Sequence, residues 1–340
     1  MDRKYDVITL GEILLRLSTP INGRLAQGDT LMKHLGGAEL NIASEIGQLG
    51  LKTAIISKIP HNLLAAFIKN QLNASRVSDN YLIEDTAGDS RIGIYYYEYG
   101  SHPRKPRVVY DRKHSSINSI SISDVPQTMF YNTRLFHTSG ITLGLGGRAQ
   151  EFAIECIKKF KEHGALISFD VNYRANLWSG EEARACITSI LPFVDIFFCS
   201  ADTARLTFGK TGTIREIQKS FCEEYPISVV ASTERTVITP KKHHFTSVIY
   251  SATEDAFYEE TPYQDIDVVD RIGSGDAYVS GALYGYLKHH DCRKMLEYGN
   301  AMAAIKHSVI GDMVFTDLDE INSIIAGHQD TSDFQPEMNR

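Results

Sequence analysis

The sequence has few of the features that mark membrane, secreted or nucleic-acid-binding proteins. Its five cysteines are widely spaced and none forms a C-x-x-C pair, so we expect reduced thiols in the core rather than disulfides. No uninterrupted apolar run approaches the roughly 20 residues that span a bilayer. The net charge is −7, and no basic stretch offers a footprint for a polyanion. These absences predict a cytoplasmic protein that binds neither a membrane nor nucleic acid.

What is present is enough apolar sequence for a large α/β core. The chain has 340 residues, of which 43% are hydrophobic. Short β-rich runs alternate with amphipathic stretches of helical period, which predicts a doubly wound, mostly parallel sheet with helices on both faces. The predicted strands are 7–10, 53–57, 135–138, 166–171, 196–199 and 228–231, and the predicted helices are 39–49, 63–72, 148–163, 181–191 and 214–224.

Two segments break this alternation. Residues 12–36 and 91–114 carry strand patterns without helices between them, which predicts a small antiparallel sheet inserted into the α/β core as a lid. We therefore expect one domain over residues 1–326 that includes these segments. Residues 327–340 are polar and are predicted to form a flexible tail.

The most informative motif is Gly273-Ser274-Gly275-Asp276, which follows a predicted strand and opens an apolar helix. Glycines let the backbone approach an anion closely, and the start of a helix attracts negative charge. Asp276 would then stand beside a bound phosphate, where its carboxylate can accept a proton from an attacking hydroxyl. The alternative is a glycine turn in which Asp276 only caps the helix.

A second glycine pair, Gly36-Gly37, precedes a helix that carries Asn41. Taken alone, this pair is typical of a packing turn. Together, however, the two motifs resemble those of the ribokinase (pfkB-type) carbohydrate kinases. The resemblance implies a ribokinase-like fold, sugar contacts from Gly36, Gly37 and Asn41, a catalytic base at Asp276, and an anion hole formed by the amides of Gly273, Ser274 and Gly275.

Several side chains point to an acidic sugar as the substrate. Tyr95 and Tyr110 lie in the predicted lid, while Arg112 and Arg174 could grip a carboxylate with two hydrogen bonds each. For each arginine the alternative is a surface ion pair. The segments GIYYYEYG, VVYDR and DVNYRANLW resemble those of the 2-keto-3-deoxygluconate kinases of this family, in which the matching tyrosines and arginines hold the sugar acid.

The same resemblance implies two further features of the acceptor side. Asp312 would hydrogen-bond a substrate hydroxyl, with a loop-capping role as the alternative. Arg16 stands where relatives that act on neutral sugars usually carry an aspartate, which argues against a neutral sugar.

The nucleotide side is less regular. The resemblance implies ATP and Mg²⁺ as cofactors, with Thr233 and Arg235 near the nucleotide and Asn300 beside the adenine. A helix-surface position for Asn300 is the alternative. The usual Asn-x-x-Glu motif is replaced by residues 200–203, so the sequence identifies no metal ligands, although Asp202 could substitute.

These expectations combine into one predicted function. The chain is expected to transfer a phosphoryl group from ATP to O6 of 2-keto-3-deoxygluconate, and to form a homodimer or larger homo-oligomer through the lid. Two alternatives stay open: a kinase for another sugar such as fructose, and a sugar-acid-binding protein that has lost turnover.

Overall fold

The computed structural model describes residues 3–329, in which a ten-stranded sheet forms the centre of the fold. The main sheet is mostly parallel, as the sequence predicts. Its strands are β1 (Tyr5–Leu10), β4 (Thr53–Pro60), β5 (Val77–Asp85), β8 (Thr133–Ser139), β9 (Leu166–Asp170), β10 (Ile196–Phe198), β11 (Val229–Thr239), β12 (Lys242–Ser251), β13 (Ala256–Glu259) and β14 (Tyr263–Asp267).

The order of these strands places a crevice at the carboxyl ends of the parallel strands. The order is β13-β12-β11-β10-β9-β8-β1-β4-β5, with β14 paired to β12. The seven strands from β11 to β5 pair in parallel, and β12 to β14 add antiparallel pairs at one edge. The direction of winding reverses between β1 and β8, and ligands bind beyond such a reversal in open α/β sheets.

Helices cover both faces of the main sheet and confirm the predicted helical segments. The helices are α1 (Ala38–Gln48), α2 (Leu63–Ala74), α3 (Gly140–Leu143), α4 (Gly147–Glu162), α5 (Gly180–Ile190), α6 (Ala201–Phe208), α7 (Ile214–Glu224), α8 (Ser274–His289), α9 (Cys292–His307) and α10 (Leu318–Gln329). Alternate residues of a strand face opposite layers, so Phe197 belongs to the core cluster formed with α4 to α7, while Phe198 belongs to the cluster formed with α1, α8 and α9.

The two predicted lid segments form a separate four-stranded sheet, called the small sheet below. Its strands are β2 (Leu14–Ser18), β3 (Met32–Gly36), β6 (Gly93–Glu98) and β7 (Arg107–Asp111), in the order β3-β2-β6-β7. The pairs β2–β3 and β6–β7 are antiparallel, and a parallel pairing of β2 with β6 joins them. The sheet thus brings residues near position 15 next to residues near position 95.

The predicted tail begins too early in the chain. Residues 327–329 belong to the last turn of α10, so the prediction is wrong there, and residues 330–340 lie outside the described part. The helix continues because Ile321 and Ile325 pack into the core and His328 Nε2 lies 2.8 Å from the carbonyl oxygen of Thr261. Of the helices between residues 3 and 329, none has the length and apolar character needed to cross a membrane.

Candidate active site

A cavity of about 680 Å³ lies beyond the carboxyl ends of the central strands. Tyr95 and Tyr110 of the small sheet line the cavity together with Arg112, which directly follows β7, and the first turn of α8 also lines it. Both glycine motifs therefore meet at one site, which is the arrangement the sequence predicts. Among the predicted residues, the cavity lining includes Gly37, Asn41, Tyr95, Tyr110, Arg112, Arg174, Thr233, Arg235, Gly273, Ser274, Gly275, Asp276 and Asp312.

The turn that opens α8 is shaped by Gly273. Its φ of 83° lies in the left-handed region, and a Cβ at this position would come within 1.8 Å of the carbonyl oxygen of Asp312. Within residues 3–329, no acceptor faces the amides of Gly273, Gly275 and Asp276, whereas the Ser274 amide donates to the carbonyl of Arg271 at 3.2 Å. Of the three predicted anion donors, Gly273 and Gly275 are therefore available and Ser274 is not, and Asp276 adds a further amide at the positive end of α8.

The carboxyl of Asp276 is held by Asn41. Asn41 Nδ2 donates to Asp276 Oδ2 at 2.7 Å across 235 positions of sequence. Burial raises the pKa of Asp276 to about 6, although the Asn41 hydrogen bond and the charge of Arg174 both act in the opposite direction. The second polar atom of Asn41, Oδ1, is buried and has no partner among the described residues. Asn41 thus orients the carboxyl of Asp276.

Asp312 lies where both glycine turns converge. Its Oδ1 accepts from Arg16 at 2.7 Å, and Tyr95 donates its hydroxyl to Oδ2. A Cβ at Gly36 would lie 2.1 Å from Oδ2, so glycine is needed there to admit this carboxylate. Gly36 thus acts through Asp312 and does not line the cavity itself, in contrast to the direct sugar contact the sequence suggests.

Arg112 has a partner that the sequence interpretation missed. Its Nε donates to Glu12 Oε2 at 2.8 Å, and its Nη2 contacts the same oxygen. Both side chains line the cavity and are nearly buried. Arg112 therefore forms an ion pair, as the alternative interpretation predicts, but this pair lies in the cavity and not on the surface. The positive charge of Arg112 is thus already matched by one carboxylate.

Arg174, unlike Arg112, forms no ion pair with a carboxylate of the described residues. It follows β9, is exposed at the cavity, and has no carboxylate within ion-pair distance among residues 3–329. Asp170, which ends β9, also lines the cavity. Burial, with a smaller effect of the Asp276 charge, raises the pKa of Asp170 to about 7. Asp170 and Asp276 therefore line the same cavity as Arg174, whose guanidinium has no carboxylate partner among the described residues.

A second cavity of about 430 Å³ adjoins the first and shares Thr233 and Arg235 with it. Burial and the nearby charge of Arg271 lower the pKa of Arg235. Arg271, which the sequence interpretation did not single out, lies just before the glycine turn and lines the main cavity. Two guanidinium groups beside a helix start suit a polyphosphate.

Asn300 lies apart from both cavities. It is fully buried, accepts from Ser247 Oγ at 2.8 Å and donates to Glu260 Oε1 at 2.6 Å. Because Asn300 is fully buried, the helix-surface alternative is wrong. Asn300 lines neither cavity, and its predicted place beside the adenine stays a prediction.

Protein ligands for a metal are sparse. Within residues 3–329 there is no cluster of three or more histidine, cysteine, aspartate or glutamate side chains suited to a metal ion. Asp202 lines both cavities, and its side chain is 91% exposed with a 3.3 Å contact to Arg205. This donor set fits a magnesium ion that takes most of its oxygen ligands from phosphates and water.

Known proteins resemble this chain over nearly its whole length. The model of the family described as pfkB family carbohydrate kinase matches residues 4–317. A 2-dehydro-3-deoxygalactonokinase from Haloferax volcanii is 29% identical over 322 residues, which are 95% of this chain and 97% of the relative.

Solved structures resemble this fold over nearly the whole chain. The 2-dehydro-3-deoxygluconokinase from Thermotoga maritima has a TM-score of 0.89 and 30% identity, covering 95% of this chain and 100% of that one. Ribokinase II from E. coli in complex with ATP and Mg²⁺ has a TM-score of 0.81 and 22% identity, over 95% of this chain and 100% of that one. At that identity the second structure supports the fold alone.

Proposed function

Because the chain belongs to the pfkB family of carbohydrate kinases, we propose that it phosphorylates the primary hydroxyl (O6) of 2-keto-3-deoxygluconate or of its close epimer with ATP. The observation that carries this proposal is the hydrogen bond between Asn41 and Asp276 at the helix start. It places an oriented carboxylate next to amides suited to a phosphoryl group. The names of two relatives, a deoxygluconokinase and a deoxygalactonokinase, support the class of acceptor.

In this mechanism Asp276 accepts the proton of the attacking hydroxyl. The pKa of about 6 keeps most of the carboxyl ionised at neutral pH while leaving it a better base than an ordinary aspartate. The amides of Gly273, Gly275 and Asp276 stabilise negative charge that develops on the transferred group. Asn41 and Asp312 position the acceptor, and positioning supplies most of the rate in phosphoryl transfer.

The acceptor's carboxylate is assigned to Arg174, with Tyr110 and Arg112 beside it. Arg174 has no carboxylate partner in the described chain, and its one hydrogen bond, from Nη1 to the carbonyl oxygen of Tyr173 at 3.3 Å, leaves its other donors available to a ligand. The guanidinium of Arg112 would bind both Glu12 and the carboxylate of the acceptor. Alternatively, Arg112 would bind Glu12 alone, and Glu12 would accept a hydrogen bond from a hydroxyl of the acceptor. This division differs from the symmetric two-arginine clamp expected from the sequence.

ATP would lie along the cavity wall formed by Thr233, Arg235 and Arg271. Arg235 and Arg271 match the charge of the phosphates, and the adjoining cavity offers room for the base. Magnesium would be held by phosphate oxygens and water, and Asp170 and Asp202, two of the carboxylates in the lining, would be its protein ligands. It would supply positive charge to the phosphates during transfer.

An acceptor panel tests the proposal. With ATP and magnesium, purified protein should phosphorylate 2-keto-3-deoxygluconate or 2-keto-3-deoxygalactonate at least a hundredfold more efficiently than fructose, ribose or the analogue that has an alcohol in place of the carboxylate. The position of the new phosphate, read by phosphorus–proton correlated NMR, should be O6. Equal efficiency for the acid and its alcohol analogue would remove the carboxylate from the account.

The ion pair of Arg112 with Glu12 favours one second candidate, a kinase for a neutral sugar. Because Glu12 already matches the charge of Arg112, only Arg174 is left for an acid. The same panel distinguishes the candidates, since a neutral acceptor would then be preferred and Arg174→Met would leave kcat/KM for it unchanged.

We also infer a homodimer formed through the small sheet. β7 lies at its edge, all five of its residues are exposed, and the side chains include Val108, Val109 and Tyr110. An apolar edge strand of this kind is suited to pairing with a second copy.

A further inference from the structure

Arg16 is a fully buried cation that lies outside the cavity lining. It is on β2 of the small sheet and has no exposed surface. Its guanidinium carbon lies 4.5 Å from the ring centre of Tyr97, and Nη2 donates to the hydroxyl of Tyr99 at 3.0 Å. A charged side chain is rarely buried so completely unless it is paired. The pattern Leu14-Leu15-Arg16-Leu17 is the sequence signal for such a residue, since it sets one arginine among apolar strand residues.

Two carboxylates on different segments share this guanidinium. Nη1 donates to Asp312 Oδ1 at 2.7 Å, and Nη2 donates to Asp270 Oδ2 at 2.6 Å. Burial would lower the pKa of Arg16, but the charges of Asp312 and Asp270 raise it above its ordinary value. Arg16 is therefore charged throughout the working pH range.

One of these carboxylates faces the cavity that is proposed to hold the acceptor. Asp312 lines the cavity, and its other oxygen accepts the hydroxyl of Tyr95, a second residue of the small sheet. The small sheet thus holds this carboxylate by two donors. A ligand hydroxyl that binds Asp312 completes a set of contacts that Arg16 and Tyr95 have already fixed.

The other carboxylate organises the glycine turn. Asp270 Oδ1 accepts from the amide of Ile272 at 3.1 Å, and Oδ2 accepts from the amide of Gly311 at 3.2 Å. Its main-chain oxygen accepts from Lys306 Nζ at 3.1 Å. Asp270 therefore binds both the residue before Gly273 and the residue before Asp312, whose carbonyl oxygen leaves no room for a Cβ at Gly273.

We propose that Arg16 is a positioning residue that couples acceptor binding under the small sheet to the geometry of the phosphate-binding turn. The path runs from Asp312 through the guanidinium to Asp270 and so to the residues before Gly273. An arginine can serve both carboxylates at once, whereas a lysine ammonium at the same site reaches only one of them well. This inference rests on the carbohydrate-kinase activity and on the proposed role of Asp312, but not on the identity of the acid.

Three variants test the coupling. Arg16→Met removes the charge, Arg16→Lys keeps it without the two-armed geometry, and Asp270→Asn keeps an acceptor for the Ile272 amide while weakening the link to Arg16. Lys58→Met is the matched control, because Lys58 forms a partly buried ion pair with Asp124 at 3.2 Å and lies outside the cavity lining.

The readouts are steady-state kinetics and calorimetric binding of the best acceptor of the panel, with and without a non-hydrolysable ATP analogue. In the unaltered protein the analogue should tighten acceptor binding at least fivefold. Arg16→Lys and Asp270→Asn should abolish this tightening and lower kcat at least tenfold, with KM for ATP changed less than threefold. Arg16→Met should do the same where it folds, and Lys58→Met should retain both values.

Two results would overturn the inference: no tightening in the unaltered protein, or variants with lower melting temperatures but unchanged kcat and unchanged tightening. The second result would mean that Arg16 serves folding alone. Failure of the unaltered protein to phosphorylate any acceptor would count against the proposed function instead, and calorimetric binding of 2-keto-3-deoxygluconate, with and without the ATP analogue, would still decide the coupling.

Discussion

At the scale of single residues, the protonation state of Asp276 controls the proposed chemistry. Only the ionised carboxylate can accept the proton of the acceptor hydroxyl, and burial has raised its pKa to about 6. We therefore expect kcat to fall by half near pH 6 and about tenfold for each further unit of acidity. Steady-state kinetics at saturating ATP and acceptor between pH 5 and 8 measure this.

The control for this profile separates catalysis from folding. Circular dichroism at each pH should show an unchanged native signal across the range. A kcat that stays constant down to pH 5 would contradict the assignment of Asp276 as the base.

Glu45 links the same helix start to pH-dependent stability. Its carboxyl is buried, with Oε2 2.6 Å from Ser280 Oγ, which in turn lies 2.7 Å from the carbonyl oxygen of Asp276. Burial raises the pKa of Glu45 to about 8. A protonated Glu45 can donate to Ser280, which leaves the serine proton for the Asp276 carbonyl.

The raised pKa fixes the sign of the stability change. Stability from protonated Glu45 is complete below pH 4.5, the ordinary pKa, and is lost as pH rises towards 8. Glu45→Gln mimics the protonated acid and should therefore gain stability relative to the unaltered protein, by a few kcal/mol at most, between pH 5 and pH 8. Urea denaturation at both pH values measures the difference, and an equal change in the two proteins would contradict it.

At the scale of elements, the two glycine turns are shaped by the same aspartate. Gly36→Ala would set a Cβ 2.1 Å from Asp312 Oδ2, an oxygen already held by Tyr95. We expect a loss of about 2 kcal/mol in unfolding free energy and at least a tenfold rise in KM for the acceptor. Gly180→Ala is the control, because nothing lies within 4 Å of a Cβ at that position near the start of α5. Equal effects of the two substitutions would refute this account of Gly36.

Local sequence patterns suffice for most of the elements and for the centre of the site. The alternation of strands and helices, the glycine turns, Asn41 and Asp276 all have signals within a few neighbouring residues. Partners brought together by the fold have none, so the link of Arg16 to Asp312, 296 positions apart, could not be derived. The Glu12 partner of Arg112 was missed for the same reason, although a glutamate next to an apolar strand suggests a buried acid.

At the scale of the whole molecule, the exposed edge of the small sheet predicts the assembly. Val109 is 54% exposed on β7, in a strand whose outer edge is unpaired within residues 3–329. The protein should sediment as a dimer, and Val109→Lys should shift it towards the monomer, because an ammonium at the edge opposes pairing. Leu206→Lys, at an 83% exposed position on α6, is the control and should stay dimeric. A monomeric unaltered protein would contradict the dimer.

The most direct measurement of the central claim compares turnover and acceptor binding in Asp276→Asn. The asparagine keeps the shape of the side chain but removes the base, so kcat should fall at least a hundredfold while the calorimetric Kd for the acceptor changes less than threefold. Asp319→Asn, an exposed aspartate in the first turn of α10, is the matched control and should retain full turnover. Near-normal kcat in Asp276→Asn would contradict the account of this site as a kinase centre built around Asp276.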